Sequence, residues 1–367
     1  MNIPLCFCVP ALNRLVHVFL RGSKFFAASF LALSLPIGAQ TADYPDSVVS
    51  ESQAAPVEPF TEEGVASRPV MTARDWLLRL THATRQLNFQ ATLVQSRAGQ
   101  ETIPFLWRHG VMEEGLTMEQ LSLQNGPGRE LIRVGNVVSV FEPDVPPYSL
   151  HSPVINGPIP SELLYAPDSL RTGYEFVLVG RARIAGRPAQ QLRIVSRDNS
   201  RFSYQLWLDE ATGMPLKLNM LDLQGSLLEQ IQITSLSIQE EPPAYFTSVN
   251  QASLPRPMAI VPKQPRQHQW EVDYLPSGMT EVRRDIRRLA LTGQVVEYKM
   301  FSDGLVDVSV YVQSAAEALG SDLVLRHELN TFLTLTDGQA QVTVVGEIPL
   351  KTANAIATSL RLKGEGE

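Results

Sequence analysis

The sequence predicts an α+β protein with a large curved antiparallel sheet, covering helices and a smaller C-terminal α+β domain. Three observations predict it. Residues 89–238 contain nine short stretches in which apolar and polar residues alternate between turn residues. One helical pattern precedes them, and a proline-rich segment separates them from a second mixture of strand and helix patterns. Neighbouring strands joined by short turns pair antiparallel, because parallel pairing needs a long crossover.

The N-terminal segment has the pattern of a secretory signal peptide. It contains three basic residues and no acidic residue before and within an apolar run at 25–39, which ends in small residues. The run is shorter than the roughly 20 residues of a membrane span. We expect residues 1–39 to be cleaved after export. An N-terminal membrane anchor is the alternative, and a start further along the chain stays open, because the segment before Arg21 is long for a signal peptide.

Cleavage would change the charge and the cysteine content. The whole chain has a formal net charge of −7, and removing the three basic residues of the leader lowers it to −10. Both cysteines, Cys6 and Cys8, lie in the leader. The processed chain would therefore have no disulfide, thiol nucleophile or cysteine metal ligand. An acidic chain lacks the basic footprint of a nucleic-acid-binding protein, so we expect no nucleic-acid partner.

A flexible tether and then a helix are predicted next. Residues 40–70 are acidic, contain prolines and show no periodicity, which is typical of a tether. Thr72 followed by Asp75 predicts a capping box at the start of a helix. His82 lies off the apolar stripe and is expected in solvent. The stripe consists of Trp76, Leu77, Leu80, Ala83, Thr84 and Leu87.

The large domain is predicted over residues 71–239. Its nine strand stretches are 89–97, 102–110, 118–126, 129–143, 174–186, 189–197, 203–213, 215–225 and 227–238. A proline-rich excursion at 143–170, with a short helix around Ser161–Tyr165, interrupts them. A long structured excursion over one face of a sheet is often a lid or a binding loop.

A proline-rich linker and a small domain complete the predicted organisation. Residues 240–265 contain six prolines, which is typical of an extended, stiff linker. The small domain is predicted over 266–367, with strands, a final helix at 350–362 and two hairpin signals. These signals are Asp303–Gly304 and Asp337–Gly338.

Recognised catalytic motifs are absent from the sequence. The sequence has no G-x-G-x-x-G, no Walker-type loop, no G-x-S-x-G elbow and no H-E-x-x-H. The histidines beyond the leader are scattered singly, without the spacing of metal ligands. Only serines and histidines that belong to no catalytic motif would support the hypothesis of a hydrolase. We therefore expect no enzyme, no cofactor and no metal site.

Apolar residues suggest a different kind of site. Alternation places Phe202, Tyr204, Leu206 and Leu208 on one face of the strand at 201–209, and Trp207 on the opposite face with Arg201, Ser203 and Gln205. Two interpretations stay open. The apolar residues fill an ordinary core, or the sheet is curved strongly enough to leave a hollow for an apolar ligand.

Arginines are concentrated in two segments. Seven arginines lie between Arg171 and Arg201, and four more lie at 283–288. Guanidinium groups suit phosphates and carboxylates, although solvated strand faces explain them equally well. The candidates for contact with an anionic group or a partner are Arg181, Arg183, Arg193, Arg201, Arg283 and Arg287.

Four segments closely resemble the MucB/RseB family of periplasmic regulators of the sigma-E envelope-stress pathway. They are GRARIAGRPAQQLRIVSRDNSRFSYQLWLDEATGMPLKLNMLDLQGSLLEQ (180–230), VVSVFEP (137–143), SDGLVDVSV (302–310) and VTVVGEIPLKTANAIA (342–357). The resemblance covers roughly residues 70–367. The long leader and the acidic tether depart from it.

The resemblance implies a fold and a function. It implies an unclosed antiparallel barrel covered by helices, similar to lipoprotein carriers of the LolA type, and a smaller C-terminal domain. It further implies a periplasmic negative regulator that binds the periplasmic part of a membrane-spanning anti-sigma factor and shields it from the first regulatory protease. Lipopolysaccharide or a related lipid would bind the protein and release the partner. Homo-oligomerisation stays open.

Together these expectations give a lipid-responsive regulator that holds a lipid or acyl ligand in an apolar hollow. A periplasmic lipid or lipoprotein carrier of LolA type is the alternative, because the sheet fits it equally well. The predicted linker and small domain favour the regulator. The candidates for lining the hollow are Phe105, Trp107, Phe141, Tyr148, Leu163, Tyr165, Phe176, Leu206 and Trp207.

Overall fold

The structure, a computed structural model, describes residues 71–259, 267–288, 293–315 and 321–363. The predicted signal peptide and tether lie outside these residues, as does the end of the predicted linker, 260–265. No helix in the described part of the chain is long and apolar enough to cross a membrane. Residues 71–259 are called the large domain and residues 267–363 the small domain.

The first helix, α1 (Ala73–Gln86), begins as the sequence predicts. The Thr72 side-chain oxygen accepts a hydrogen bond from the Asp75 amide at 3.3 Å, and the Asp75 carboxylate accepts one from the Thr72 amide at 2.8 Å. The predicted stripe is buried from Trp76 to Thr84, while Leu87 caps the helix end and His82 is exposed. Burying each leucine of the stripe stabilises the fold by about 1.5–3 kcal/mol.

Eleven described strands form the sheet of the large domain. They are β1 (Asn88–Arg97), β2 (Ile103–Val111), β3 (Thr117–Leu123), β4 (Glu130–Val134), β5 (Val137–Glu142), β6 (Val145–His151), β7 (Tyr174–Ile184), β8 (Arg187–Ser196), β9 (Ser203–Asp209), β10 (Pro215–Leu221) and β11 (Leu227–Gln239).

The sheet is a meander that does not close. Its order is β6-β5-β4-β3-β2-β1-β11-β10-β9-β8-β7, and adjacent strands are antiparallel. Every neighbour is consecutive in sequence except the central pair, β1 and β11. The edges β6 and β7 do not pair with each other among the described strands. This confirms the predicted unclosed antiparallel sheet.

Two details of the strand prediction are wrong. The stretch 129–143 is two strands, β4 and β5, because Gly135 adopts a positive φ of 56° and reverses the chain. Residues 145–151, predicted within the irregular excursion, form the edge strand β6. Pro146 and Pro147 lack amide donors, so an edge position accommodates them.

The rest of the excursion crosses the concave face, as predicted. It carries α2, which spans Ser161–Tyr165, and a 3₁₀ turn at Pro167–Thr172. Leu163 and Leu170 are buried in the same apolar cluster as the sheet residues. The excursion therefore connects the two edges of the sheet and covers its interior.

The described part of the predicted linker packs on the large domain. It contains α3 (Tyr245–Ser248) and a 3₁₀ turn at Gln251–Ser253. Phe246 is buried, and a Cβ atom on Gly110 would lie only 2.9 Å from its ring. The Tyr245 hydroxyl donates to the Glu130 carboxylate at 2.8 Å. Residues 240–259 are thus fixed along β2 to β4 and are not simply extended.

The described small domain contains a six-stranded antiparallel sheet of order β13-β14-β15-β18-β17-β16 and a two-stranded sheet of β12 and β19. Its elements are β12 (Trp270–Val272), β13 (Thr280–Arg288), β14 (Val295–Ser302), β15 (Asp307–Ser314), β16 (Leu323–His327), β17 (Asn330–Thr336), β18 (Ala340–Gly346), α4 (Leu350–Thr358) and β19 (Leu360–Leu362). Both predicted Asp-Gly hairpins are confirmed, with Gly304 and Gly338 at positive φ. The predicted final helix is shorter, because residues 360–362 pair with β12.

The small domain inserts apolar side chains into the core of the large domain. Leu329, at the turn between β16 and β17, is 3% exposed and belongs to the large-domain cluster. Leu305 packs against the clusters of both domains. A hydrogen bond of 2.6 Å from the Thr352 hydroxyl to the Ser200 carbonyl oxygen joins the domains nearby.

Candidate functional site

A buried polar network lies under the concave face and contains two of the predicted aromatic residues. The Glu119 carboxylate accepts hydrogen bonds from Trp107 Nε1 at 2.8 Å and from the Tyr165 hydroxyl at 3.1 Å. Arg133 Nε donates to its other oxygen at 3.0 Å. Burial, foremost, and the nearby Glu119 charge raise the pKa of Tyr165 well above its usual value. The network fixes α2 to strands β2, β3 and β4.

The structure brings seven of the nine predicted hollow residues to one apolar cluster. Leu163, Leu206 and Trp107 are buried members. The remaining four are half-buried against it: Phe105, Tyr148, Tyr165 and Phe176.

The other two residues lie apart from this cluster. Phe141 is half-buried on β5. Trp207 lies on the opposite face of the sheet with Ala189 and Leu216, as its alternation predicts, and the Lys217 ammonium lies 5.2 Å from its ring centre. Trp207 and Leu206 therefore cannot contact the same ligand on the concave face.

Side chains fill the centre of the concave face, and two cavities lined by described residues lie beside it. Leu206 and Leu192 are fully buried there by neighbouring side chains. The first cavity, of about 190 Å³, lies between the domains and is called the junction cavity. Residues that line it include Arg97, Tyr204, Glu229, Leu305 and Glu347.

The second cavity, of about 380 Å³, lies between α1 and β7 and is called the α1–β7 cavity. Its apolar lining includes Leu77 and Phe176. Its charged lining is Arg74, Arg171 and Arg197 together with one carboxylate, Glu175, so positive charge is in excess. An apolar base with several guanidinium groups suits an amphiphile that carries an acidic group.

The six predicted arginines are spread over four places. Arg181 and Arg183 are exposed on β7, where Arg181 Nε lies 3.1 Å from Glu210 Oε1 and Arg183 Nε donates to the Gly186 carbonyl oxygen at 3.1 Å. Arg193 is exposed on β8. They form a solvated strand face, which agrees with the simpler of the two interpretations.

Arg201 is withdrawn from solvent and joins the two domains. Its guanidinium donates to the Asp303 carboxylate and, at 2.6 Å, to the Ser277 carbonyl oxygen. It also lies 4.9 Å from the ring centre of Tyr174. Arg201 is therefore not accessible to an external anion in this arrangement.

The remaining two arginines lie on β13 of the small domain. Arg283 is exposed, and Arg287 stacks on the Tyr298 ring at 3.5 Å. Neither lines the two cavities described above.

Sequence reasoning missed the charged groups of both cavities. Arg171 and Arg197 lie in the arginine-rich segment, where no pattern distinguishes them from the other arginines, and Arg74 lies on the polar side of α1. Burial, and next the Glu229 charge, raise the pKa of the Glu347 carboxyl to about 7. No local signal identifies it, because its neighbours come from other strands.

The described residues contain no group of three or more histidine, cysteine, aspartate or glutamate side chains placed to hold a metal ion. His109 is buried, its Nδ1 lies 2.8 Å from the Leu87 carbonyl oxygen, and its ring stacks on Phe89. Burial lowers its pKa. This arrangement is that of a structural histidine.

Comparison with known proteins assigns both domains to one family. The MucB/RseB N-terminal domain family matches residues 72–258, and the MucB/RseB C-terminal domain family matches residues 264–361. The sigma-E factor regulatory protein RseB of Salmonella typhimurium is 31% identical over 289 residues, covering 78% of this chain and 90% of that protein. The sigma factor AlgU regulatory protein MucB of Pseudomonas aeruginosa is 32% identical over 304 residues, covering 79% and 90%.

Solved structures agree with this assignment. The structure of the Pseudomonas aeruginosa MucA/MucB complex has a TM-score of 0.63 and 31% identity, covering 80% of this chain and 99% of that chain. A structure of MucB in complex with MucA(peri) has a TM-score of 0.62, with the same identity and coverage. The relatives are regulatory proteins of sigma factors. The chain thus belongs to the MucB/RseB family.

Proposed function

We propose that the protein is a periplasmic negative regulator of a sigma-E-type envelope-stress response. It holds the periplasmic segment of a membrane-spanning anti-sigma factor and shields it from proteolysis until a lipid signal releases it. Family membership and the solved MucB structures with MucA support the protein partner. The α1–β7 cavity is the single observation that supports a lipid as the releasing signal.

The α1–β7 cavity offers both parts of a site for an acidic lipid such as lipopolysaccharide. Phe176 is half-buried against the main apolar cluster, so an acyl chain entering here would extend the existing core. Arg74 and Arg171 lie 3.3 Å and 3.8 Å from opposite oxygens of Asp168. Both guanidinium groups are more than half exposed, and they can exchange Asp168 for a phosphate with little loss of stability.

Arg197 completes the cationic rim. Its Nε donates to the Arg171 carbonyl oxygen at 2.9 Å, which positions the side chain beside the same cavity. Guanidinium groups bind phosphates in a bidentate manner. Three of them near an apolar base favour a phosphorylated lipid over a neutral one.

Lipid and partner act on each other through linkage. If the lipid prefers the conformation from which the partner has been released, it weakens partner binding by the same factor by which the partner weakens lipid binding. A lipid that binds both conformations equally would change nothing.

The experiment measures the affinity of the purified protein for the partner's periplasmic segment, with and without lipopolysaccharide fragments. Saturating lipid is expected to weaken partner binding in the wild type. The double variant Arg171→Ala/Arg197→Ala is expected to lose about tenfold or more in lipid affinity, because each charge-assisted hydrogen bond contributes about 1.5–3 kcal/mol. It should retain its affinity for the partner.

The control is Arg183→Ala/Arg193→Ala, which removes the same charge from exposed arginines outside the cavity. It should behave as the wild type. Equal loss of lipid affinity in both variants would show that net charge alone, and not the α1–β7 cavity, determines lipid binding. Partner affinity that does not respond to saturating lipid would refute the coupling.

The alternative, a lipid or lipoprotein carrier of LolA type, predicts transfer of a labelled lipid to an acceptor membrane. The inserted Leu329 and Leu305 weigh against it, since they occupy apolar space that a carrier would keep for cargo. Transfer at a rate above that of a no-protein control would favour the carrier.

A further inference from the structure

The junction cavity collects acidic groups from both domains around one arginine. From the large domain, Arg97 on β1 and Glu229 on β11 form an ion pair with an N–O distance of 2.5 Å. From the small domain, Glu328 lies 3.2 Å from Arg97 Nη1, and Glu347 lines the cavity directly after β18. Asp307 on β15 adds a further negative charge near Glu347.

The charges in this cluster do not balance. Arg97 forms ion pairs with Glu229 and Glu328, but among the described residues no ion pair reaches Glu347. The Gln95 amide is also committed, since it donates to Glu229 at 2.7 Å. Docking of the domains therefore brings the Glu347 carboxyl into the cavity that Glu229 also lines, with Arg97 as the guanidinium of that lining. Like charges held this close disfavour ionisation of one partner.

A buried hydroxyl lines the same cavity. Tyr204 on β9 is 3% exposed, and among the described residues its hydroxyl has no hydrogen-bond partner. The acidic groups around it include Glu347 and Glu229. The cavity thus combines unbalanced carboxylates with an unsatisfied polar group, which is unusual for a contact that serves only to hold two domains together.

We propose that the junction cavity makes domain docking sensitive to pH. A proton on the Glu347 carboxyl removes the repulsion from Glu229 and favours the docked arrangement, whereas its loss above neutral pH weakens docking. This pH dependence is a property of this chain alone and depends neither on the lipid nor on the protein partner.

The direction of the pH dependence follows from the proton affinity of Glu347 in the docked and in the separated domains. In the docked domain pair, burial and the Glu229 charge raise the pKa of Glu347 from its ordinary value of 4.5 to about 7. When the domains separate, the carboxyl returns to solvent and to the ordinary value. The stabilisation is therefore fully present below about pH 4.5 and is lost as pH rises through about 7. Linkage limits the change in the docking constant to roughly 300-fold.

The amide of Ser277 provides a direct probe of domain opening. It belongs to the small domain and donates to Asp198 Oδ2 of the large domain at 2.8 Å. Its hydrogen exchange, corrected for the intrinsic pH dependence of exchange, reports the opening constant even when the open state is rare. We expect this constant to rise by roughly 70-fold between pH 5 and pH 8, which is the part of the 300-fold limit that falls in this window. Carboxyl ¹³C NMR should show Glu347 titrating near pH 7.

Three variants test whether Glu347, and not a general effect of pH on the protein, changes the opening constant. Glu347→Gln, which mimics the protonated carboxyl, should hold the opening constant at its low-pH value throughout. Glu229→Gln should move the transition to lower pH. The exposed Glu241→Gln is the matched control and should follow the wild type. A wild-type opening constant that is independent of pH, or an unchanged pH dependence in Glu347→Gln, would overturn the proposal, and so would titration of Glu347 near its ordinary value.

Discussion

Arg201 of the large domain donates a hydrogen bond to Asp303 of the small domain, and the two side chains are only 0% and 1% exposed. The Tyr174 hydroxyl donates to the same carboxylate at 3.0 Å. The charged groups thus satisfy one another in a place that water does not reach. Removing one charge would leave the other buried without compensation, which costs far more than the loss of a surface ion pair.

Arg201→Ala should lower the free energy of unfolding by about 3–5 kcal/mol, because it leaves the Asp303 carboxylate buried and uncompensated. Chemical denaturation followed by far-UV circular dichroism measures this change. Arg193→Ala, at an exposed site on the neighbouring strand, should stay within about 0.5 kcal/mol of the wild type. Similar midpoints for the two variants would contradict a buried role for Arg201.

The position of Arg201 shows where sequence patterns stop being informative. Alternation along β9 correctly predicts that Leu206 and Trp207 face opposite sides of the sheet. Arg201 precedes the first strand residue, Ser203, so alternation does not govern it. Its partner Asp303 is 102 residues away. A contact between domains follows from tertiary packing, and no local period encodes it.

The same limit applies to the candidate site. The pattern of apolar residues predicts the concave cluster, including Leu163 in the excursion. The arginines of the α1–β7 cavity come from α1, from the turn before β7 and from the end of β8, which meet only in the folded chain. Local composition identified the arginine-rich segment but could not distinguish Arg197, at the cavity, from the solvent-facing Arg193.

Glu119→Ala should destabilise the large domain by about 3–5 kcal/mol, because it leaves the Arg133 guanidinium buried without its carboxylate. Tyr165→Phe removes only one hydrogen bond to the same carboxylate and should cost about 1.5–3 kcal/mol. Chemical denaturation of both variants gives the two values. Glu113→Ala, at an exposed glutamate, is the control. A cost for Tyr165→Phe as large as that for Glu119→Ala would show that the aromatic packing was disturbed as well.

Asp198 should make the fold sensitive to acid. Burial raises its pKa, but hydrogen bonds from the Ser200 and Ser196 hydroxyls and from backbone amides lower it by more, so the pKa lies well below the usual value of 3.8. A carboxylate with a depressed pKa stabilises the fold above the unfolded value, and this contribution is lost as pH falls below about 3.8. Asp198→Asn should therefore flatten the fall of the free energy of unfolding between about pH 5 and pH 2. Asp144→Asn, at an exposed aspartate, should retain the wild-type slope.

Leu329→Ala should weaken the junction of the domains. The side chain extends from the small domain into the apolar cluster of the large domain and is 3% exposed, so truncation leaves a cavity and costs about 2–5 kcal/mol. Leu323, on the adjoining strand β16, is 54% exposed, and Leu323→Ala should change stability by less than about 0.5 kcal/mol.

Truncation of Leu329 should also reduce the cooperativity with which the two domains unfold. The residue belongs to the small domain, but its side chain packs in the core of the large domain. Differential scanning calorimetry should show one transition for Leu323→Ala and a broadened or divided transition for Leu329→Ala. A single sharp transition at a lower temperature in Leu329→Ala would mean that Arg201 and Asp303 suffice to couple the domains.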